Sequence, residues 1–146
     1  MGPSDGISKE DWDVVHGLAV DVANASMRDD DEATGASRRH LLEYLDFLQE
    51  KYGPLPSILA TRASYSDDRT EKLDLLTRAY ALADARRDHR SQLYVASSLA
   101  ELHIEEFRDA SEGLRWLRLV RGLLEEVGDS SDVREYERLR RTAEDP

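Results

Sequence analysis

Four histidines are the first residues to consider for metal or acid–base chemistry: His16, His40, His89 and His103. None has a second histidine four residues away, which is the spacing that presents two zinc ligands on one helix face. His103 falls on the apolar stripe of its helix, and we interpret it as a hydrogen-bonded core residue. The sequence also contains no glycine-rich phosphate loop and no GxSxG nucleophile motif.

Carboxylates could bind Ca²⁺ in the acidic patch, which comprises Asp29, Asp30, Asp31 and Glu32. A calcium-loop frame that starts at Asp29 puts His40 at its twelfth position. A frame that starts at Asp30 gains Gly35 at the sixth position but puts Leu41 at the twelfth. Both frames lack the bidentate glutamate that closes such a loop. We therefore interpret the acidic patch as part of a solvated loop over residues 29–36.

Adjacent glutamates offer no acid–base pair, because neighbouring residues project from different sides of a helix. This applies to Glu105-Glu106 and to Glu125-Glu126. The sequence therefore predicts no catalytic residues, no metal site and no cofactor, and we expect a protein that is not an enzyme.

The composition of the chain limits the number of domains, the kinds of site and the kinds of partner. The 146 residues, 40% of them hydrophobic, suit one domain over residues 1–146, and the absence of cysteine excludes disulfides and thiolate sites. The net charge of −11 disfavours nucleic acid as a partner. Residues 1–68 carry 14 acidic and 6 basic residues, and this acidic half could attract a basic protein partner.

The N-terminal residues and the length of the apolar stretches bear on the cellular location of the protein. Residues 1–6 show neither a basic segment nor an apolar run, and no apolar stretch reaches the roughly 18 residues of a membrane span. We therefore expect a cytoplasmic protein that does not contact membranes.

Hydrophobic periodicity predicts an all-α fold of about seven helices stacked as antiparallel hairpins. Ser8 is a candidate cap for the first helix, and Gly17 interrupts that helix where another helix could approach closely. Ser37 is the predicted cap of the second helix, which ends at Gly53. The later helices are expected near residues 54–65, 68–87, 90–107, 109–127 and 131–141.

A shift of 41 residues aligns the third and fourth predicted helices with the fifth and sixth. Polar ends match as well as apolar positions: Asp68 falls on Asp109, Leu76 on Leu117, Ala63 on Ile104 and Asp88 on Asp129. Repeated helical hairpins are typical of a solenoid, although two amphipathic helices can also align at some offset by chance. We predict a divergent hairpin over residues 1–53, two repeat hairpins over 54–129 and a capping helix over 130–146.

In the second unit the chain resembles the tetratricopeptide-repeat family. The resemblance rests on the spacing of Ala96, Leu99, Ala100 and His103 in one helix and of Gly113, Leu117 and Val120 in the next. The period of 41 exceeds the family's 34, Lys72 replaces a small residue, and the closing proline is missing. The resemblance implies a short solenoid whose first helices line a concave face that binds a polypeptide.

The leading hypothesis is therefore a protein–protein interaction module. Its candidate partner-binding residues are Arg62, Tyr94, Ser97, Glu101 and Ile104. In a competing interpretation, Tyr94 and Ile104 belong to the core between repeats. Two alternatives remain open: an acidic immunity or inhibitor protein that neutralises a basic toxin or nuclease, and a structural subunit that associates with itself. The sequence does not determine the oligomeric state.

Overall fold

The computed structural model describes residues 2–145, so Met1 and Pro146, the two ends of the predicted domain, lie outside the described residues. The described chain is all-α and contains no strand, which confirms the predicted fold class. Seven α-helices and one π-helical turn follow each other: α1 Lys9–Met27, α2 Asp31–Tyr52, α3 Pro56–Ser64, α4 Arg69–Ala85, α5 His89–Glu101, the π-turn Leu102–Glu106, α6 Ala110–Val127 and α7 Ser130–Glu144.

Most helices begin at a polar cap. A side-chain oxygen that accepts a hydrogen bond from the first turn satisfies a backbone N–H that has no partner within the helix. The predicted cap Ser8 does this for α1, since its Oγ accepts from the backbone N–H of Asp11 at 3.1 Å. Aspartates cap five others: Asp30, Asp68, Asp88, Asp109 and Asp129 cap α2, α4, α5, α6 and α7.

The predicted loop over residues 29–36 and the predicted cap Ser37 are wrong. Helix α2 begins at Asp31 because the Asp30 carboxylate accepts a hydrogen bond from the backbone N–H of Ala33 at 3.0 Å. Asp29 takes a left-handed conformation with φ 55°, so a sharp turn joins α1 to α2 without a longer loop. Gly35 therefore lies inside the helix.

Helix α3 differs, because its cap position is Leu55 and carries no side-chain acceptor. The carboxylate of Asp5, from the segment before α1, takes over this role. Its Oδ2 accepts a hydrogen bond from the backbone N–H of Ser57 at 2.6 Å. The N-terminal segment is thereby tied to the start of α3.

Consecutive helices are joined by short turns and pack on each other, with the closest pairs α1 with α2, α3 with α4 and α5 with α6. In addition, α5 contacts both α3 and α7, so these three helices form a row along one face. Leu45 and Ile58 belong to the core between α1, α2 and α3, and Leu76 and Leu99 to a second core further along.

Another helix approaches closely at a different glycine from the predicted one. Gly17 is exposed, and a Cβ built on it would meet nothing within 4 Å, so the predicted helix contact there is wrong. The close approach lies instead at Gly113 in α6. A Cβ there would sit 2.9 Å from Ile104 Cδ1 and closer still to Ile104 Cγ1.

The four aspartates that align over 41 positions all cap helices. Asp68 and Asp109 cap α4 and α6, and Asp88 and Asp129 cap α5 and α7. None of the helices in the described chain is both long and apolar enough to cross a bilayer.

Candidate functional site

A groove of about 720 Å³ runs along the row formed by α3, α5 and α7. Its walls combine small and apolar side chains with charged ones. From α5 come Tyr94, Ser97, Ser98 and Glu101. The π-turn and α4 contribute Glu106 and Lys72, and α7 contributes Asp132, Arg134, Glu135 and Arg138.

Tyr94 is the aromatic side chain of this groove. It lies on the outward face of α5, and 60% of its surface is exposed. Its hydroxyl makes no hydrogen bond within residues 2–145, whereas a buried tyrosine usually pairs this group. An exposed aromatic ring without internal partners is a residue type that is enriched where proteins meet.

Arg138 organises the end of the groove that is furthest from the start of α5. Its guanidinium donates to Glu105 Oε1 at 2.6 Å and to Glu135 Oε1 at 2.8 Å. These hydrogen bonds raise the pKa of Arg138 and lower that of Glu135. On the opposite wall Lys72 Nζ pairs with Glu106 Oε2 at 3.1 Å.

Glu101 is the carboxylate that this network leaves poorly compensated. The guanidinium nitrogen Arg138 Nη2 is 3.7 Å from Glu101 Oε2, which is beyond hydrogen-bond range. The pKa of Glu101 is raised, first because burial disfavours the charged form and then because Glu105 and Glu135 add like charges. Three carboxylates therefore share one guanidinium.

A smaller pocket of about 250 Å³ adjoins the groove at Tyr94, which lines both. Trp12, Pro56 and Val95 supply its apolar wall. The N-terminal segment closes one side, because Ser4 Oγ donates to Asp88 Oδ1 at 2.6 Å at the start of α5. Groove and pocket together form one surface, apolar near Trp12 and acidic near Glu101.

The structure brings together three of the five candidate partner-binding residues, since Tyr94, Ser97 and Glu101 line the groove. Arg62 does not lie there. It faces α2, where its Nη2 pairs with Asp46 Oδ1 at 2.7 Å, and its side chain is only 21% exposed. The reason is that the side of α3 carrying Arg62 packs towards α2 rather than towards α5.

Ile104 does not line the groove either; as in the competing interpretation it is buried, 5% exposed, and packs in the core with Leu117 and Leu139. The prediction assumed a regular α-helix beyond Glu101. Instead, the backbone N–H of Phe107 bonds the carbonyl of Leu102, five residues back, so the turn holds an extra residue. The wider turn carries Ile104 past the groove and onto Gly113.

The acidic patch takes part in helix initiation. Asp30 is the cap of α2, and Asp31 and Glu32 occupy its first turn, where negative charge is stabilised by the helix dipole. His103, predicted as a core residue, is half-buried and lies 5.6 Å from the Phe107 ring. Among residues 2–145, no group of three or more histidine or acidic side chains is placed to hold a metal ion.

Several groove residues were not predicted from the sequence. Lys72 comes from the second helix of a predicted repeat hairpin, and Glu135 and Arg138 come from the predicted capping helix. A local signal existed for one pair, since Glu135 and Arg138 are three residues apart on α7 and form an ion pair. No pattern of neighbouring residues indicates that this pair approaches Glu101 and Glu105.

Comparison of the chain with models of known protein families, with curated proteins and with solved structures finds no match.

Proposed function

We propose that the protein is a non-catalytic interaction module that binds a segment of another polypeptide in the groove along α3, α5 and α7. The observation that carries this proposal is Tyr94, an aromatic ring that is 60% exposed where the groove meets the smaller pocket. Aromatic side chains in such positions supply a large share of interface energy, because they bury much area and lose little conformational entropy.

The shape of the site favours a polypeptide. The groove is open, about 720 Å³ in volume, and is lined by four helices and the π-turn rather than enclosed by them. A row of helices from successive hairpins is the surface that helical-repeat proteins use for extended or helical segments. This is also what the resemblance to tetratricopeptide repeats implies.

The walls of the groove are held in place before any partner arrives. Ion pairs fix Lys72 on Glu106 and Arg138 on Glu135, and the N-caps Asp88 and Asp129 fix the starts of α5 and α7. A preorganised surface needs little ordering on binding, which leaves more of the contact free energy for affinity.

The test compares two exposed aromatic residues on different faces. Tyr94→Ala removes the ring from the groove, whereas Phe47→Ala removes a ring that is 54% exposed on α2. Wild type and both variants are used as bait in the native cell, and co-purifying proteins are quantified. We expect a partner that is lost with Tyr94→Ala and retained with Phe47→Ala. Equal recovery by all three baits contradicts the proposal.

A further inference from the structure

The two ends of the groove differ in chemistry, and this difference describes the partner. This inference rests on the proposed function and names the class of polypeptide that the groove takes. We propose that the partner segment presents a basic side chain, arginine or lysine, to Glu101 and an apolar side chain to the pocket beside Trp12.

The acidic end carries more negative than positive charge. Glu101, Glu105 and Glu135 surround a single guanidinium, and Glu101 has no hydrogen bond from it, since Arg138 Nη2 is 3.7 Å away. Glu101 is exposed, with 50% of its side-chain surface accessible, and three carboxylates around one guanidinium leave an excess of negative charge that a further positive charge would compensate. An arginine or lysine of the partner would provide that charge and the missing hydrogen bonds.

Arg134 is the opposing charge to consider, because it also lines the groove and is exposed. It lies one helical turn before Arg138 on α7 and takes part in no ion pair within the described chain. The basic anchor of the partner therefore belongs at Glu101, on the α5 wall. Removal of the Arg134 charge should therefore strengthen the binding of this basic anchor.

The apolar end is built by Trp12, Pro56 and Val95, which wall a pocket of about 250 Å³. Ser91 at this pocket and Glu101 at the acidic end are ten residues apart on α5, so the two anchors are about 15 Å apart at 1.5 Å per residue. An extended segment covers this distance in about four or five residues, and a helical segment in about ten.

The experiment selects partners without assuming their sequence. A phage-displayed library of random peptides, long enough to span both anchors, is panned on the wild-type protein at low salt. Enriched peptides are then synthesised with a fluorescent label. Their dissociation constants are measured by anisotropy against wild type, Tyr94→Ala, Glu101→Gln, Arg134→Gln and, as a matched control, Glu43→Gln on the exposed face of α2.

We expect enriched peptides to carry arginine or lysine at the stated spacing from an apolar residue. Glu101→Gln should weaken their binding roughly tenfold, as should replacement of the basic residue by glutamine, and the two changes together should add little. Arg134→Gln should tighten binding up to about threefold, because exposed charge pairs contribute little. Glu43→Gln should leave the dissociation constant unchanged.

The outcomes separate this inference from the proposed function. Peptides that need Tyr94 but bind equally to Glu101→Gln, or that lack a basic residue, overturn the inference and leave the interaction module standing. Peptides that bind equally to wild type and Tyr94→Ala, or an empty selection, overturn both. Light scattering identifies the remaining occupant: a dimer that Glu101→Gln dissociates would mean that a second copy fills the groove, and would overturn the inference.

Discussion

The carboxylate of Asp5 caps helix α3 from a position 52 residues earlier in the chain, by accepting a hydrogen bond from the backbone N–H of Ser57 at 2.6 Å. Asp5 is 7% exposed, so this hydrogen bond is shielded from water. The same N-terminal segment closes the apolar pocket through Ser4 and Asp88. The N-terminal segment therefore supports both the start of a helix and one end of the proposed binding surface.

Asp5→Ala should lower the free energy of unfolding by about 1–3 kcal/mol. The variant loses a helix cap and leaves the Ser57 N–H without its acceptor. Urea denaturation followed by circular dichroism measures the change. The control is Asp21→Ala on the exposed face of α1, which should change stability by less than about 0.5 kcal/mol. Similar losses in both variants would show that the Asp5 cap has no special weight.

The sequence predicted those features that depend on neighbouring residues. The cap Ser8, the end of α2 at Gly53 and the all-helical class follow from local patterns, and the structure confirms them. Asp30 was missed as a cap because a run of four acidic residues offers several equivalent candidates. Asp5 was missed because its partner Ser57 is remote in sequence.

The candidate site was predicted in part for the same reason. Tyr94, Ser97 and Glu101 share a face of one regular helix, so their spacing alone places them together. In a regular α-helix Ile104 would continue that spacing, but the π-turn interrupts the helical periodicity. Ile104 instead packs on Gly113 of α6, a contact between elements that no local pattern indicates.

Two glycines on helix α6 should respond in opposite ways to alanine. Gly113→Ala places a Cβ against Ile104, and this overpacking should destabilise the fold by about 1–3 kcal/mol. Gly122→Ala meets nothing within 4 Å, and the higher helix propensity of alanine should stabilise by up to about 1 kcal/mol. Thermal and urea unfolding of both variants provide the comparison. A stabilised Gly113→Ala variant would mean that α6 and the π-turn can move apart without loss.

Asp11 should make stability depend on pH in the acidic range. Lys51 Nζ at 2.8 Å and Tyr52 Oη at 2.6 Å hydrogen-bond its carboxylate and lower its pKa from 3.8 to about 2. Because the charged form is favoured in the folded state, the stabilisation is present above pH 3.8 and is lost as the pH falls towards about 2. The urea midpoints of wild type and Asp11→Asn should therefore converge over this range.

Tyr52→Phe provides the control for Asp11, because it keeps the ring and removes one of the hydrogen bonds to the Asp11 carboxylate. The pH-dependent difference from Asp11→Asn should become smaller and move to higher pH in the Tyr52→Phe background. A difference between wild type and Asp11→Asn that stays constant with pH would contradict the assignment to this carboxylate.

Glu101→Gln should stabilise the fold at neutral pH although it weakens binding. Burial and the charges of Glu105 and Glu135 raise the pKa of Glu101 above 4.5, so ionisation disfavours the folded state more than the unfolded state. The stability of wild type relative to Glu101→Gln is therefore highest below pH 4.5 and falls as the pH rises through the folded-state pKa. Thermal unfolding across this range measures the difference.

A variant that is less stable than wild type at neutral pH would show that attraction to Arg138 outweighs the burial of Glu101. A gain in stability together with a loss of peptide affinity identifies a carboxylate that is retained for binding, since residues in functional sites often reduce the stability of the fold that holds them.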